Sequence, residues 1–81
     1  MNHKLKIWPA YFEAVRIGMK TFECRKNDRY FKVGQSLTLR EYDPDCELYT
    51  EREIDVIVTY ILTDSFSGVE KGFVIMGFVK L

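Results

Sequence analysis

Lys20, Glu23 and Arg25 are the residues whose types and spacing most directly suggest chemistry. They lie in Gly18-Met19-Lys20-Thr21-Phe22-Glu23-Cys24-Arg25, where helical spacing gives way to strand spacing. Side chains alternate faces along a strand. A strand over Thr21 to Lys26 therefore places Thr21, Glu23 and Arg25 on one face and Phe22 and Cys24 on the other. The apolar pair is assigned to the core. The polar trio is assigned, with Lys20, to the mouth of the fold. A lysine there neutralises a phosphate or an oxyanion. An arginine offers a planar fork to a carboxylate, a phosphate or a base edge. A glutamate accepts from an exocyclic amine or ring N–H of a nucleobase, or simply holds Arg25 in place. The set suits a small polar or phosphate-bearing ligand. The plainer reading is a surface ion-pair cluster, which contributes under about 1 kcal/mol.

Other side chains carry weaker signals. Trp8 reads either as core or as a stacking face. Arg29 either pairs with Asp28 in a turn or reaches a phosphate. Tyr42, Tyr49 and Tyr60 are most simply sheet side chains with wet hydroxyls, and any of them could offer a ring to a base. No Ser-His-Asp or Cys-His set can be assembled, and no glycine-rich phosphate loop is present. Two distant cysteines and one histidine make a poor metal set, so no metal or cofactor is expected.

The elements that must position these residues follow from periodicity. Lys4 to Trp8 alternates as a first strand. Pro9 fits the first helical turn, where a missing amide costs nothing. Ala10 to Ile17 has helical spacing, with Tyr11, Ala14 and Val15 expected on the packed face. Gly18 fits the left-handed position after a helix. Strands are expected over Thr21 to Lys26, Ser36 to Tyr42, Arg52 to Leu62 and Phe73 to Leu81. Ile54, Val56, Val58, Tyr60 and Leu62 are expected to share one face, and Gly77 marks a bulge or a close approach. Five short strands and one helix indicate an α+β fold, mostly β, as a small barrel or sharply curled sheet.

Composition narrows the function classes. At 81 residues, 47% of them hydrophobic, the chain is read as a single domain over 1–81 with a modest core. Lysine plus arginine equals aspartate plus glutamate at twelve each. A tight, sequence-blind nucleic-acid binder is usually visibly basic, so any such role must rest on a local patch. Lys20, Arg25, Lys26, Arg29 and Lys32 form one within a short span, and acidic residues gather later, from Glu41 to Asp55. No apolar run approaches the roughly 20 residues of a membrane span. The two cysteines allow one disulfide, but no secretory signal is seen, so a reduced cytoplasmic setting is expected.

The spacing Gly18-x-Lys20-x-x-Glu23-x-Arg25 resembles the signature of the ASCH domain, a PUA-like β-barrel family. The similarity runs on through His3 to Pro9, Tyr11 to Glu13, Arg25 to Arg29, Phe31 to Gly34, Leu39 to Tyr42, Tyr49-Thr50, Val58 to Ile61 and Gly72 to Met76. It covers nearly the whole chain, and together the matches look like a compact bacterial and phage subfamily of ASCH-like proteins of unknown function. The resemblance implies a PUA-like barrel of about five strands with one short helix. It implies a ligand cleft beside the helix, with His3 at its edge and with Trp8, Lys20, Glu23, Arg25 and Arg29 as ligand-binding candidates. RNA, a nucleotide or a modified base is then the expected partner.

Some ASCH-like proteins are amidohydrolases acting on acetylated cytidine through a lysine, a threonine and a glutamate. Lys20 matches the lysine. Glu23 stands where the nucleophilic threonine would be, and the nearest hydroxyl is Thr21. Lys20, Thr21 and Glu23 are the catalytic candidates on that alternative. The later glutamate of those enzymes has no matching segment here. A protein-interaction domain without a small ligand is the remaining alternative.

Overall fold

The computed structural model describes residues 2–81. The chain forms β1 (Asn2–Ile7), α1 (Pro9–Arg16), β2 (Phe22–Lys26), β3 (Ser36–Asp43), β4 (Leu48–Leu62) and β5 (Phe73–Lys80). The five strands make one sheet in the order β1-β3-β4-β5-β2, curled into a half-barrel. β1 runs parallel to β3, and every other neighbouring pair is antiparallel. The two edge strands, β1 and β2, therefore run in opposite directions. Leu5, Leu37, Leu39, Val56, Val58 and Met76 line the inner face and are almost wholly buried.

β1 passes into α1 with no loop. Pro9 excludes its predecessor from helical geometry, and Trp8 is extended at φ −74°, ψ 155°. Trp8 is thus the corner between strand and helix. At eight residues, α1 cannot stand alone and must pack on the sheet. It does so through Phe12 and Val15, not through Tyr11 and Val15 as the spacing predicts. Tyr11 is 53% exposed.

The helix stops in a Schellman turn. Gly18, at φ +83°, sends its N–H to the Val15 carbonyl. The Met19 N–H reaches back to the Ala14 carbonyl at 2.9 Å. That carbonyl also accepts from the Lys20 N–H at 3.0 Å, which fixes Lys20 beneath the helix end.

β4 begins at Leu48, earlier than the expected Arg52, and bends twice. Between the pairs Arg40–Glu53 and Tyr42–Tyr49, three residues of β4 oppose Glu41 alone. Glu51 there has φ +72°. The Thr50 hydroxyl donates to the buried Glu41 carboxylate at 2.6 Å. The second bend inserts Thr59 between the pairs Val58–Phe78 and Tyr60–Gly77. One extra residue reverses the alternation. Tyr60 consequently turns outward, 66% exposed, and Ile61 packs against the core in its place. The bulge lies in β4, opposite Gly77, rather than at Gly77 itself.

β2 reverses the facing expected of it. Glu23 is 8% exposed on the inner side, whereas Phe22 is 50% exposed and Cys24 is exposed on the outer side. Alternation is right, but the inward face at this sheet edge lines a cleft rather than the apolar core.

Candidate functional site

β1 and β2 share no backbone ladder, so the half-barrel has a seam. Arg25 crosses it, donating from Nη2 to the backbone carbonyl of Lys6. Arg29 crosses further along, from Nη1 to the Lys4 carbonyl at 2.7 Å. Backbone groups two residues apart point to the same edge of a strand, so the two arginines occupy adjacent acceptors on β1. Side chains here do what a hydrogen-bond ladder would do in a closed barrel.

The seam opens into a cleft of about 450 Å³ at its α1 end. Trp8 and Tyr11 form one wall, with ring planes 14° apart and centroids separated by 6.4 Å. Residues three apart on a helix share a face, which brings these rings together at the strand-to-helix corner. Glu23, Cys24, Arg25 and Lys26 form the opposite wall. A smaller cavity of about 260 Å³ adjoins it, lined by Tyr11, Lys20, Phe22, Glu23 and Cys24.

Glu23 is the centre of the arrangement. Lys20 Nζ lies 2.8 Å from Oε1, and Arg25 Nε lies 2.9 Å from Oε2. A carboxylate so far removed from water is tolerated because each oxygen has its own cation. Lys20 also donates to the Phe22 carbonyl at 2.7 Å, which leaves one of its three N–H donors. Its ammonium stands 5.1 Å from the Phe22 ring centroid and 5.7 Å from that of Tyr11. Arg25 uses Nε and Nη2 and, among the described residues, makes no hydrogen bond through Nη1. Two cations around one anion leave a net positive site with donors to spare.

The other sequence candidates fall elsewhere. His3 does not stand at the cleft edge. Its ring meets Phe31 edge-on with centroids 5.2 Å apart, and Nε2 is enclosed without a partner among the described residues. Its odd position on β1 gives it the inward face shared by Leu5 and Ile7. Arg29 reaches across the seam and lines neither cavity. Thr21 lines neither cavity. Conversely, Tyr11 and Cys24 border the cleft and were not singled out for it. For Tyr11 a signal was available, since it follows Trp8 at helical spacing.

A second ionic cluster lies on the outer side of α1. Arg16 hydrogen-bonds Glu13, and Arg52 Nη2 approaches the same carboxylate at 3.5 Å. The bond from Arg16 holds the Glu13 carboxyl at about 2, well below its ordinary 4.5, against a smaller opposing effect of burial. This cluster braces α1 on β4. Arg52 also lies 4.8 Å from the Phe12 ring centroid. Among the described residues no group of three His, Cys, Asp or Glu side chains could hold a metal ion. Among the described residues no helix is long and apolar enough to cross a membrane.

Fold and site together define a small, mostly β domain: a curled half-barrel whose unpaired seam carries a charged, aromatic-walled cleft. The family described as "Domain of unknown function (DUF3850)" matches residues 2–78, and the chain belongs to it. No curated protein matches the chain.

Proposed function

We propose that this domain binds RNA, a nucleotide or a modified nucleobase in the seam cleft, as its resemblance to ASCH domains implies. One observation carries the reading. Two half-exposed aromatic rings, Trp8 and Tyr11, face a buried carboxylate whose flanking cations keep spare N–H donors. A base stacks on the rings by its π-face. Its polar edge or phosphate meets Lys20, Glu23 and Arg25. The near-neutral chain and local positive cleft favour a short ligand over a long, sequence-blind RNA contact. Two exposed, unpaired thiols fit a reducing compartment such as the cytoplasm.

Hydrolysis of an acylated nucleoside is the weaker reading. Neither cavity is lined by a serine or threonine, and the Lys20 ammonium is already committed to Glu23 and the Phe22 carbonyl. A protein-interaction role needs no such buried cluster.

The test is a thermal-shift and calorimetric screen of nucleosides, nucleotides and short RNAs. A ligand of the native state raises the melting temperature by mass action. It is expected to protect Cys24, which borders both cavities, from alkylation by iodoacetamide while leaving Cys46 reactive. Lys20→Ala and Glu23→Gln should each weaken binding, and the ligand should be recovered unchanged. Multiple turnover that is lost in Lys20→Ala would replace this reading with the hydrolase.

A further inference from the structure

The two cavities meet at a common wall of Tyr11, Glu23 and Cys24, and each adds aromatic and cationic side chains of its own. The larger has Trp8 and Phe73 with Lys6, Arg25 and Lys26. The smaller has Phe22 and Lys20. We infer that the smaller cavity is a second base subsite, so that the ligand is a single-stranded nucleic-acid step of at least two nucleotides. This rests on the nucleotide reading of the larger cavity and adds the ligand's length.

Phe22 would supply the stacking face of this second subsite. It lies on an edge strand, and its neighbour across the ladder is Gly77. The residue opposite Gly77 on the far side is Tyr60. Gly77 puts no side chain of its own between those two aromatics, although Thr59 and Tyr60 border the space above it. The Phe22 ring is half exposed, so part of its surface is open to a ligand. A ring on a sheet surface beside a cation is what single-strand binders use to stack successive bases. Lys20 lies 5.1 Å from that ring and sits between it and Tyr11. From there it can meet the phosphate joining a base at Tyr11 to a base at Phe22. The volumes agree with this division. About 450 Å³ lies within the range of about 300–1,000 Å³ typical of ligand pockets, whereas about 260 Å³ lies below it and suits one ring.

The experiment compares ribonucleoside 5′-monophosphates with the corresponding 5′-phosphorylated ribodinucleotides, by calorimetry, on wild type, Trp8→Ala and Phe22→Ala. Circular dichroism confirms that both variants are folded. The dinucleotide is expected to bind wild type roughly tenfold tighter than the mononucleotide, the effect of one additional stacked base. Phe22→Ala should remove that gain and leave mononucleotide affinity unchanged. Trp8→Ala should weaken both ligands. Equal affinity for the two lengths, or a gain that survives Phe22→Ala, would overturn the second subsite and leave the first intact. Absence of binding by either length would overturn both.

Discussion

The Arg25 guanidinium donates to the backbone carbonyl of Lys6, joining the sheet's two edge strands through a side chain. The same guanidinium holds Glu23 through Nε. Arg25 therefore contributes both to closure of the half-barrel, together with Arg29, and to charge balance in the cleft, together with Lys20.

Arg25→Ala should destabilise the protein by about 1–3 kcal/mol, the range for hydrogen bonds to charged groups and for a buried acceptor left unpaired. Arg25→Lys keeps the charge but cannot serve both acceptors with one fork, and should recover only part of the loss. Urea denaturation measures both. A negligible change in Arg25→Ala would mean that Arg29 alone holds the seam.

Phe12 and Phe22 should respond very differently to truncation. Phe12 is almost wholly buried beneath α1, and Phe12→Ala should cost about 3–5 kcal/mol. Phe22 is half exposed, so Phe22→Ala should cost under about 1 kcal/mol. Comparable losses in denaturant midpoints would show that the outer face of β2 is covered.

Replacing Gly18 tests how the helix end positions Lys20. At φ +83° a side chain is strained even though no neighbour stands near the missing Cβ. Gly18→Ala should lose about 1–2 kcal/mol from backbone strain alone. Because the Ala14 carbonyl holds the Lys20 amide in the same turn, the variant should also bind cleft ligands more weakly. Unchanged stability and binding would mean that the turn relaxes without moving Lys20.

Acid should weaken the α1 brace through Glu13. Its folded-state pKa, about 2, lies below the ordinary 4.5, so its contribution is complete above about 4.5. That contribution declines as pH falls and is gone once pH has passed below about 2. Carboxyl titration by NMR should find Glu13 near 2 in wild type and shifted upward, towards its ordinary value, in Arg16→Ala, where only Arg52 still lowers it. Glu13→Gln should lose part of the acid dependence of stability across that window. A normal Glu13 titration in wild type would show that the Arg16 bond does not persist in solution.

The sequence by itself determined the elements and the principal cluster. Strand and helix periods are local, so one helix and five strands were legible to within a few residues at most boundaries. Lys20, Glu23 and Arg25 lie close enough in sequence for their meeting to be read from spacing. Gly18 was legible as a helix end because few other residues accept its conformation. Tertiary structure alone decided which face of each element is inside. A period of two separates Glu23 from Phe22 but does not say which one turns inward, and apolar character misleads where the inner face borders an open seam. Similarly, Tyr11 and Phe12 are adjacent on α1, and only the seat of the helix on β3 buries Phe12 and frees Tyr11. An inserted Thr59 reversed Tyr60 and Ile61, which no local pattern announces. The surroundings of His3 and Arg29 were not legible for a related reason. Their partners, Phe31 and the Lys4 carbonyl, are 28 and 25 residues away, and contacts at that range exist only once the sheet has curled.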